Sequence, residues 1–498
     1  MQNHRFCLWS EDISFTSNTV QRGAAKQEEA VNLSQFSPSE GHIAATIKSS
    51  EEDLYIFVTG GYFHENPALN QIVNKIRIFR FNLWNDTIYQ YDTTTLSGPN
   101  KANKQKSTKN KWFGSELPPL SDAGIITMFE PGFGPVVYIY GGFDLSQNKT
   151  SEEIWIFRNL LKGDLDCTLI PGQETVKLSC WSQAELREKN AHYQMGDIPV
   201  ERQGHKLAKA GKNTFYMIGG HCKIYGTNWH NTHSFMFAQM EGVYLFNVET
   251  NIWTECQLHG DSNLVKRSLF GIESKENTIY LCGGNRYEGT DGIQKLSIGE
   301  VVPLNWNENA GSPAERMINI THKVITLPDI YGWTPNLAGI SMKFYNNNLF
   351  VFGGSNNFTR ENILKASQKL VFIDLQAGTA VLQDPEPSLA MKTAVYGSSI
   401  HIFGGGHTAM ILGGSLAKAG TTAGRSNFVL TSKKVRAPPC EATKCRIESG
   451  EVFGGNALMM ECNACKKFIH IFICGKHKGK KAPRKNSYKC PDCMKTNK

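Results

Sequence analysis

Short runs of β-branched and aromatic residues that end in paired glycines recur along most of the chain. They are Tyr55-Ile-Phe-Val-Thr-Gly60-Gly61, Val137-Tyr-Ile-Tyr-Gly141-Gly142, Phe215-Tyr-Met-Ile-Gly219-Gly220, Ile279-Tyr-Leu-Cys-Gly283-Gly284, Leu349-Phe-Val-Phe-Gly353-Gly354 and Ile400-His-Ile-Phe-Gly404-Gly405. An apolar run of this length, bounded by glycine, predicts a buried strand rather than a helix. The glycines mark a point where the chain needs positive φ or a close approach to neighbouring backbone. Further strand-like runs follow at Ile154-Trp-Ile-Phe157, Val243-Tyr-Leu-Phe246 and Leu370-Val-Phe-Ile373. Between Phe246 and Trp253 a polar stretch predicts a tight turn joining two strands. Six copies of one unit predict a repeat architecture.

The unit is the kelch-type blade signal, and it predicts an all-β chain in which residues 1–430 form a six-bladed β-propeller. Successive pairs stand 81, 78, 64, 70 and 51 residues apart, against about 50 for a bare kelch repeat. The excess is assigned to loops. One, Lys101 to Lys111, carries Lys101, Lys104, Lys106, Lys109 and Lys111 and no acid. A solvated insertion and a nucleic-acid contact both fit it. A second, Gly404 to Gly424, is rich in small residues. No P-loop, His-Glu-x-x-His or Gly-x-Ser-x-Gly motif is found. His205 and His221 lie beside glycines in the third unit and read as structural histidines. The propeller is expected to be a scaffold and not an enzyme.

Charge and cysteine change character together near residue 433. From Lys433 to Lys498 sixteen basic residues face five acidic ones, whereas the rest of the chain carries 37 basic and 40 acidic side chains. A tail of this sign suits DNA, chromatin or an acidic protein surface. Seven of the 13 cysteines fall in the last 59 residues. No secretory leader and no membrane-length apolar run are present. The thiols are therefore expected to be reduced, and clustered cysteine reads as metal binding. With His470 the order is four cysteines, one histidine and three cysteines, the order of a PHD-like cross-brace finger over residues 440–498, reached through a short basic linker at 431–439.

In a cross-brace, Cys440, Cys445, His470 and Cys474 would hold one structural zinc ion, and Cys462, Cys465, Cys490 and Cys493 a second. His477 is an alternative ligand, because the spacing of the first and third pairs is wider than usual. Between the third and fourth pairs lie Lys476, Lys478, Lys480, Lys481, Arg484 and Lys485. They are candidate phosphate contacts, a nuclear import signal, or a solvated loop.

Three segments sharpen the picture: Gly196-Asp-Ile-Pro-Val-Glu-Arg-Gln-Gly204-His205, Asn277-Thr-Ile-Tyr-Leu-Cys-Gly-Gly284 and Asp329-Ile-Tyr-Gly-Trp-Thr-Pro335. With the propeller-then-finger order, they resemble the accessory-subunit family of the V(D)J recombinase, that of the second recombination-activating protein and its invertebrate or transposon-encoded RAG-like homologues. The resemblance implies a nuclear, non-catalytic cofactor. Its propeller would bind a DDE-type recombinase or transposase subunit, in a heterotetramer of two catalytic and two accessory chains acting on DNA. It also implies a finger that reads methyl-lysine on a histone tail. Here Met459 and Phe468 fall at cage positions, but Glu461 stands where a cage aromatic is expected. The acidic hinge of that family is replaced by a basic linker ending Ala437-Pro-Pro439. Two other readings of the same domains are a kelch and zinc-finger ubiquitin-ligase substrate adaptor and a stand-alone histone reader.

Overall fold

A computed structural model describes residues 41–49, 53–61, 76–82, 87–91, 93–97, 117–158, 160, 176–182, 197–227, 233–240, 242–287, 293–294, 300–306, 317–320, 325–326, 338–345, 348–355, 370–375, 379–383, 395–403, 408–413, 415–416, 428–431, 459–470, 489–490 and 493–494. The described elements are strands, apart from a short 3-10 turn at Ser262–Leu264. Among these residues no helix is long and apolar enough to cross a membrane.

Among the described residues six main sheets follow one another, accompanied by small two- and three-stranded ones. Sheet one contains Ile43–Ser49, Asp53–Thr59, Arg77–Asn82 and Thr87–Tyr91, each antiparallel to the next. Sheet three repeats this order with Lys206–Lys209, Thr214–Ile218, Val243–Asn247 and Ile252–Glu255. Sheet five does so with Ala338–Tyr345, Asn348–Ser355, Leu370–Asp374 and Thr379–Gln383. Sheets two and four begin with Gly124–Glu130 and Gly271–Lys275, and each gains a strand at its outer edge; sheet four also carries Ile325–Thr326 against Glu300–Trp306. In sheet two, Thr93–Ser97 pairs parallel with Val176–Ser182; in sheet four, Gln257–His259 pairs parallel with Met317–Ile320. Sheet six is described as Ser399–Phe403, Thr408–Leu412 and Phe428–Thr431.

The first strands of the six sheets touch in a cycle: one with two, two with three, and so on to six, which returns to one. They enclose a cavity of about 310 Å³ lined by residues of all six. The first five strands with paired glycines, predicted to be buried, are the second strands of their sheets. Asp53–Thr59, Gly134–Tyr140 and Thr214–Ile218 are almost entirely buried, whereas Ile43–Ser49 and Gly124–Glu130 alternate buried and partly open positions along the cavity wall.

Apolar clusters join neighbouring sheets. Phe57 of sheet one meets Phe157 of sheet two, with ring centroids 5.3 Å apart. Tyr138 and Tyr140 of sheet two pack on Phe215, Phe246 and Trp253 of sheet three. Tyr216 and Ile218 share a cluster with Ile279 and Leu281 of sheet four, and Cys282 packs with Met342 and Val351 of sheet five. Rings at offset or edge-on contact add to the area they bury.

The glycine pairs join sheet to sheet through the main chain. In the first five pairs the first glycine has φ between 62° and 72° and the second between 88° and 101°. The Gly220 amide donates to the Arg267 carbonyl at the entry to the next sheet, as Gly61 does to Leu120 and Gly142 to Arg202. At Gly219, with φ +67°, an added Cβ would lie 2.2 Å from the Arg267 carbonyl oxygen. Gly219→Ala is therefore expected to cost about 3 kcal/mol from strain and collision. A denaturant midpoint equal to wild type would contradict that expectation.

The sixth pair differs from the one expected. The run Ile400 to Phe403 lies in the first strand of sheet six, and the second strand, Thr408–Leu412, ends at Gly413 with φ 61°. Immediately beyond Gly414, Ser415 pairs with Tyr396, just as His221 after Gly220 pairs with Gln203. Gly413 thus stands where the first glycine of each earlier pair does, while Gly404, Gly405 and Gly414 lie outside the described residues. Two glycine runs flank adjacent strands, and only the pairing register distinguishes them.

Candidate metal centre and buried polar sites

Two segments bring four cysteines together. Cys462 to Lys467 forms a turn between the short antiparallel strands Met459–Glu461 and Phe468–His470. Its backbone closes on itself, with the Lys466 amide donating to the Cys462 carbonyl and the Cys462 amide to that of Lys467. Lys466 takes φ 63°, which lets the turn reverse directly after Cys465. Cys490 and Cys493 come from the chain end, where the Met494 amide donates to the Cys490 carbonyl.

The Sγ atoms of Cys462, Cys465, Cys490 and Cys493 lie within 4.8 Å of one another. Cys465 Sγ and Cys490 Sγ are 3.7 Å apart, close to the ~3.8 Å edge of a tetrahedron with zinc–sulfur bonds of about 2.3 Å. The Cys490 amide donates to Cys462 Sγ at 3.2 Å, a contact that favours thiolate. Burial raises the Cys462 pKa, but backbone amides of Cys465, Cys490 and Ala464 outweigh it and bring the thiol down to about 6. Cys493 is pushed up to about 12, chiefly by its hydrogen bond with Cys465 and then by Cys490. Four sulfurs this close do not all ionise without a cation among them, so the donor set fits one soft divalent ion such as zinc. When bound, that ion would have four protein ligands and no open position, a structural role.

The other candidate ligands are not brought together among the described residues. His470 ends the second strand of the hairpin, and its side chain lies outside the description. Cys440, Cys445, Cys474 and His477 lie outside the described residues. So do Lys101, Lys104, Lys106, Lys109 and Lys111, and the cluster Lys476, Lys478, Lys480, Lys481, Arg484 and Lys485. The hairpin register sets Met459 opposite His470 and Glu461 opposite Phe468. Met459 and Phe468 therefore stand diagonally, two register positions apart with the Met460–Ile469 pair between them.

Both singled-out histidines are buried in the sheet body. The Gly124 amide donates to His205 Nε2 at 3.2 Å, and the ring meets Tyr140 edge-on. Burial, followed by the charges of Arg202 and Lys206, holds His205 well below its usual range, and burial alone brings His221 to about 3.

Sequence reasoning missed two arginines and a polar seam. Arg202 and Arg267 are almost wholly buried. Arg202 donates through Nη1 to the Gly219 carbonyl and through Nε to that of Val200; Arg267 repeats this with Gly283 and Leu264. Each arginine thus saturates the carbonyl of the first glycine of its own pair. The signal was the recurrence of Arg 17 and 16 residues before that glycine.

At the junction of sheets six and one, His42 Nε2 is 2.9 Å from Ser399 Oγ, Ser399 Oγ is 3.0 Å from His401 Nε2, and His401 Nδ1 is 2.9 Å from Thr46 Oγ1. Burial, with Lys343 and His42 nearby, brings His401 to about 3. A neutral imidazole passes a hydrogen bond from one strand to the next here. This seam was hidden because its four members are scattered through the sequence.

No protein-family model matches the chain, and no curated protein matches it. Among solved structures, a chain from a cryo-electron-microscopy structure of RAG in complex with one melted RSS and one unmelted RSS is similar over 80% of this chain and 97% of its own length, with 17% sequence identity and a TM-score of 0.47.

Proposed function

We propose that the six sheets form a six-bladed kelch-type propeller and that the chain is a non-catalytic accessory subunit of a RAG-like DDE recombinase or transposase. The observation that carries the reading is the cycle of first strands in a chain whose cationic tail supplies a four-cysteine cluster. A propeller offers loops for a partner, and a metal-built basic module offers a contact to DNA or chromatin. In support, Arg202 and His205, within one of the three segments that carry the family resemblance, are buried at the junction of the second and third sheets. The histidines and arginines described in the sheet body are engaged in structural hydrogen bonds. The second zinc site, from Cys440, Cys445, His470 and Cys474, belongs to the same proposal, as does a nuclear location.

The test is co-purification of the full chain with a DDE recombinase of the same genome, followed by cleavage of DNA bearing that element's ends. A stable complex whose end-specific cutting drops at least tenfold without this chain is the expected result. No complex and unchanged cutting would overturn the reading in favour of a ubiquitin-ligase adaptor or a histone reader.

A further inference from the structure

The cavity enclosed by the six first strands has an unbalanced lining. Lys206 of sheet three, Lys209 beside it and Lys343 of sheet five face one carboxylate, Glu273 of sheet four. That carboxylate is already committed, lying 2.7 Å from Lys343 Nζ. Lys206 is partly buried, with Asp122 as its attractive partner and Lys343 near enough to repel it. Burial correspondingly lowers Lys206 and raises Asp122 from their usual values.

Hydroxyl groups complete the wall. Thr127 Oγ1 and Ser398 Oγ, both from lining residues, are shielded from solvent with no hydrogen-bond partner in the protein. Buried polar groups in native proteins are ordinarily satisfied, so two around one cavity call for a partner. The excess of ammonium groups sets the sign of that partner, and the hydroxyls favour one with several acceptor oxygens. The volume, about 310 Å³, is at the lower end of the range for small-molecule sites.

We propose that this cavity binds a small oxyanion of the phosphate class, either inorganic phosphate or a small phosphate monoester. Lys206 and Lys343 approach it from alternate sheets, and Lys209 adds charge at its margin. The ligand relieves the repulsion between these two lysines and ties sheets three and five together across the cavity. Such an anion stabilises the closed cycle of sheets by mass action, in proportion to its concentration over its Kd. This inference is independent of the recombinase reading, because it concerns the sheet body alone.

The test uses the full-length chain, titrated calorimetrically with inorganic phosphate and, separately, glycerol 3-phosphate, against sodium chloride at matched ionic strength. Thermal unfolding is followed in parallel. One saturable site per chain and a rise in Tm are expected, and the tighter of the two probes identifies the source of the phosphate. Lys209→Met, at an exposed position that tolerates replacement, is expected to weaken binding several-fold. The paired change Lys206→Met with Asp122→Asn, which leaves no buried charge alone, is expected to weaken it at least tenfold. Neutralising the six basic residues between Lys476 and Lys485 is expected to leave this site unchanged. Absence of saturable binding beyond chloride, or binding that survives the Lys206 change and disappears with the tail charges, would overturn the proposal.

Discussion

Between about pH 6.5 and pH 3 the sheet body is expected to lose stability with a slope approaching three protons, ~4 kcal/mol per pH unit. The cause is a set of three buried neutral histidines. His221 and His401 are each brought from 6.5 to about 3, and His205 lies well below 6.5. The sign follows from which state takes up protons. In this window the unfolded chain protonates its imidazoles and the folded chain does not, so acid favours unfolding. Above pH 6.5 neither state binds the proton and the effect vanishes; below about 3 His221 and His401 are protonated in both states and their share of the slope is lost.

Around His205 stand Arg202, Lys206 and Tyr140; around His401 stand Lys343 and His42, with Thr46 and Ser399 as hydrogen-bond partners. No carboxylate figures among the causes of the shift at any of the three histidines. Urea unfolding at pH 7.5, 6 and 5 measures the slope. His401→Gln is expected to flatten it by about one proton. Should that variant not fold, imidazole proton shifts in the wild-type protein decide directly. Any of the three rings titrating near 6.5 in the folded state would remove that residue from the account.

Cys490→Ser is expected to abolish metal binding at the four-cysteine site while leaving the sheet body intact. Structural zinc sites contribute roughly 10–16 kcal/mol of apparent binding free energy that the unfolded segment lacks. Cys490 supplies one sulfur, and its amide holds Cys462 Sγ at 3.2 Å. Competition with a chromophoric chelator should show zinc affinity falling by more than ~100-fold, beyond the loss typical of removing a hydrogen-bond partner of a ligand. Near-ultraviolet dichroism of the sheet body should not change. Retention of the zinc would sink the four-sulfur assignment, and loss of the sheet body's cooperative transition would show that the two regions do not fold separately.

Local features carried the legible part of the fold. A run such as Val137 to Tyr140 announces a buried strand through its own composition, and the glycines after it announce the positive φ that the structure shows. The Cys462, Cys465, Cys490 and Cys493 set was legible because two Cys-x-x-Cys knuckles can be read without knowing how the chain folds back. What depended on register or long-range assembly was not. Gly404-Gly405 and Gly413-Gly414 both follow apolar runs, and pairing of Tyr396 with Ser415 alone separates them. Arg202 and Arg267 look like surface charges in sequence, yet both are buried against carbonyls. His42 and His401 are joined through Ser399 across 359 positions of chain, a distance no spacing rule reaches.

The parallel strands at the outer edges of sheets two and four have a consequence for how the body comes apart. Thr93–Ser97 continues from the last strand of sheet one, and Gln257–His259 from that of sheet three. Each straps the rim of the following sheet before the chain turns inward to build it. The strap pairs the otherwise open side of the strand beneath it and itself becomes the short edge strand of that sheet. It also makes neighbours interdependent, since melting sheet one would strip sheet two of its outermost partner, and melting sheet three would do the same to sheet four. Sheets one and two, and three and four, should therefore exchange their amide hydrogens as coupled pairs, so that the body opens in overlapping steps around its circumference instead of sheet by sheet.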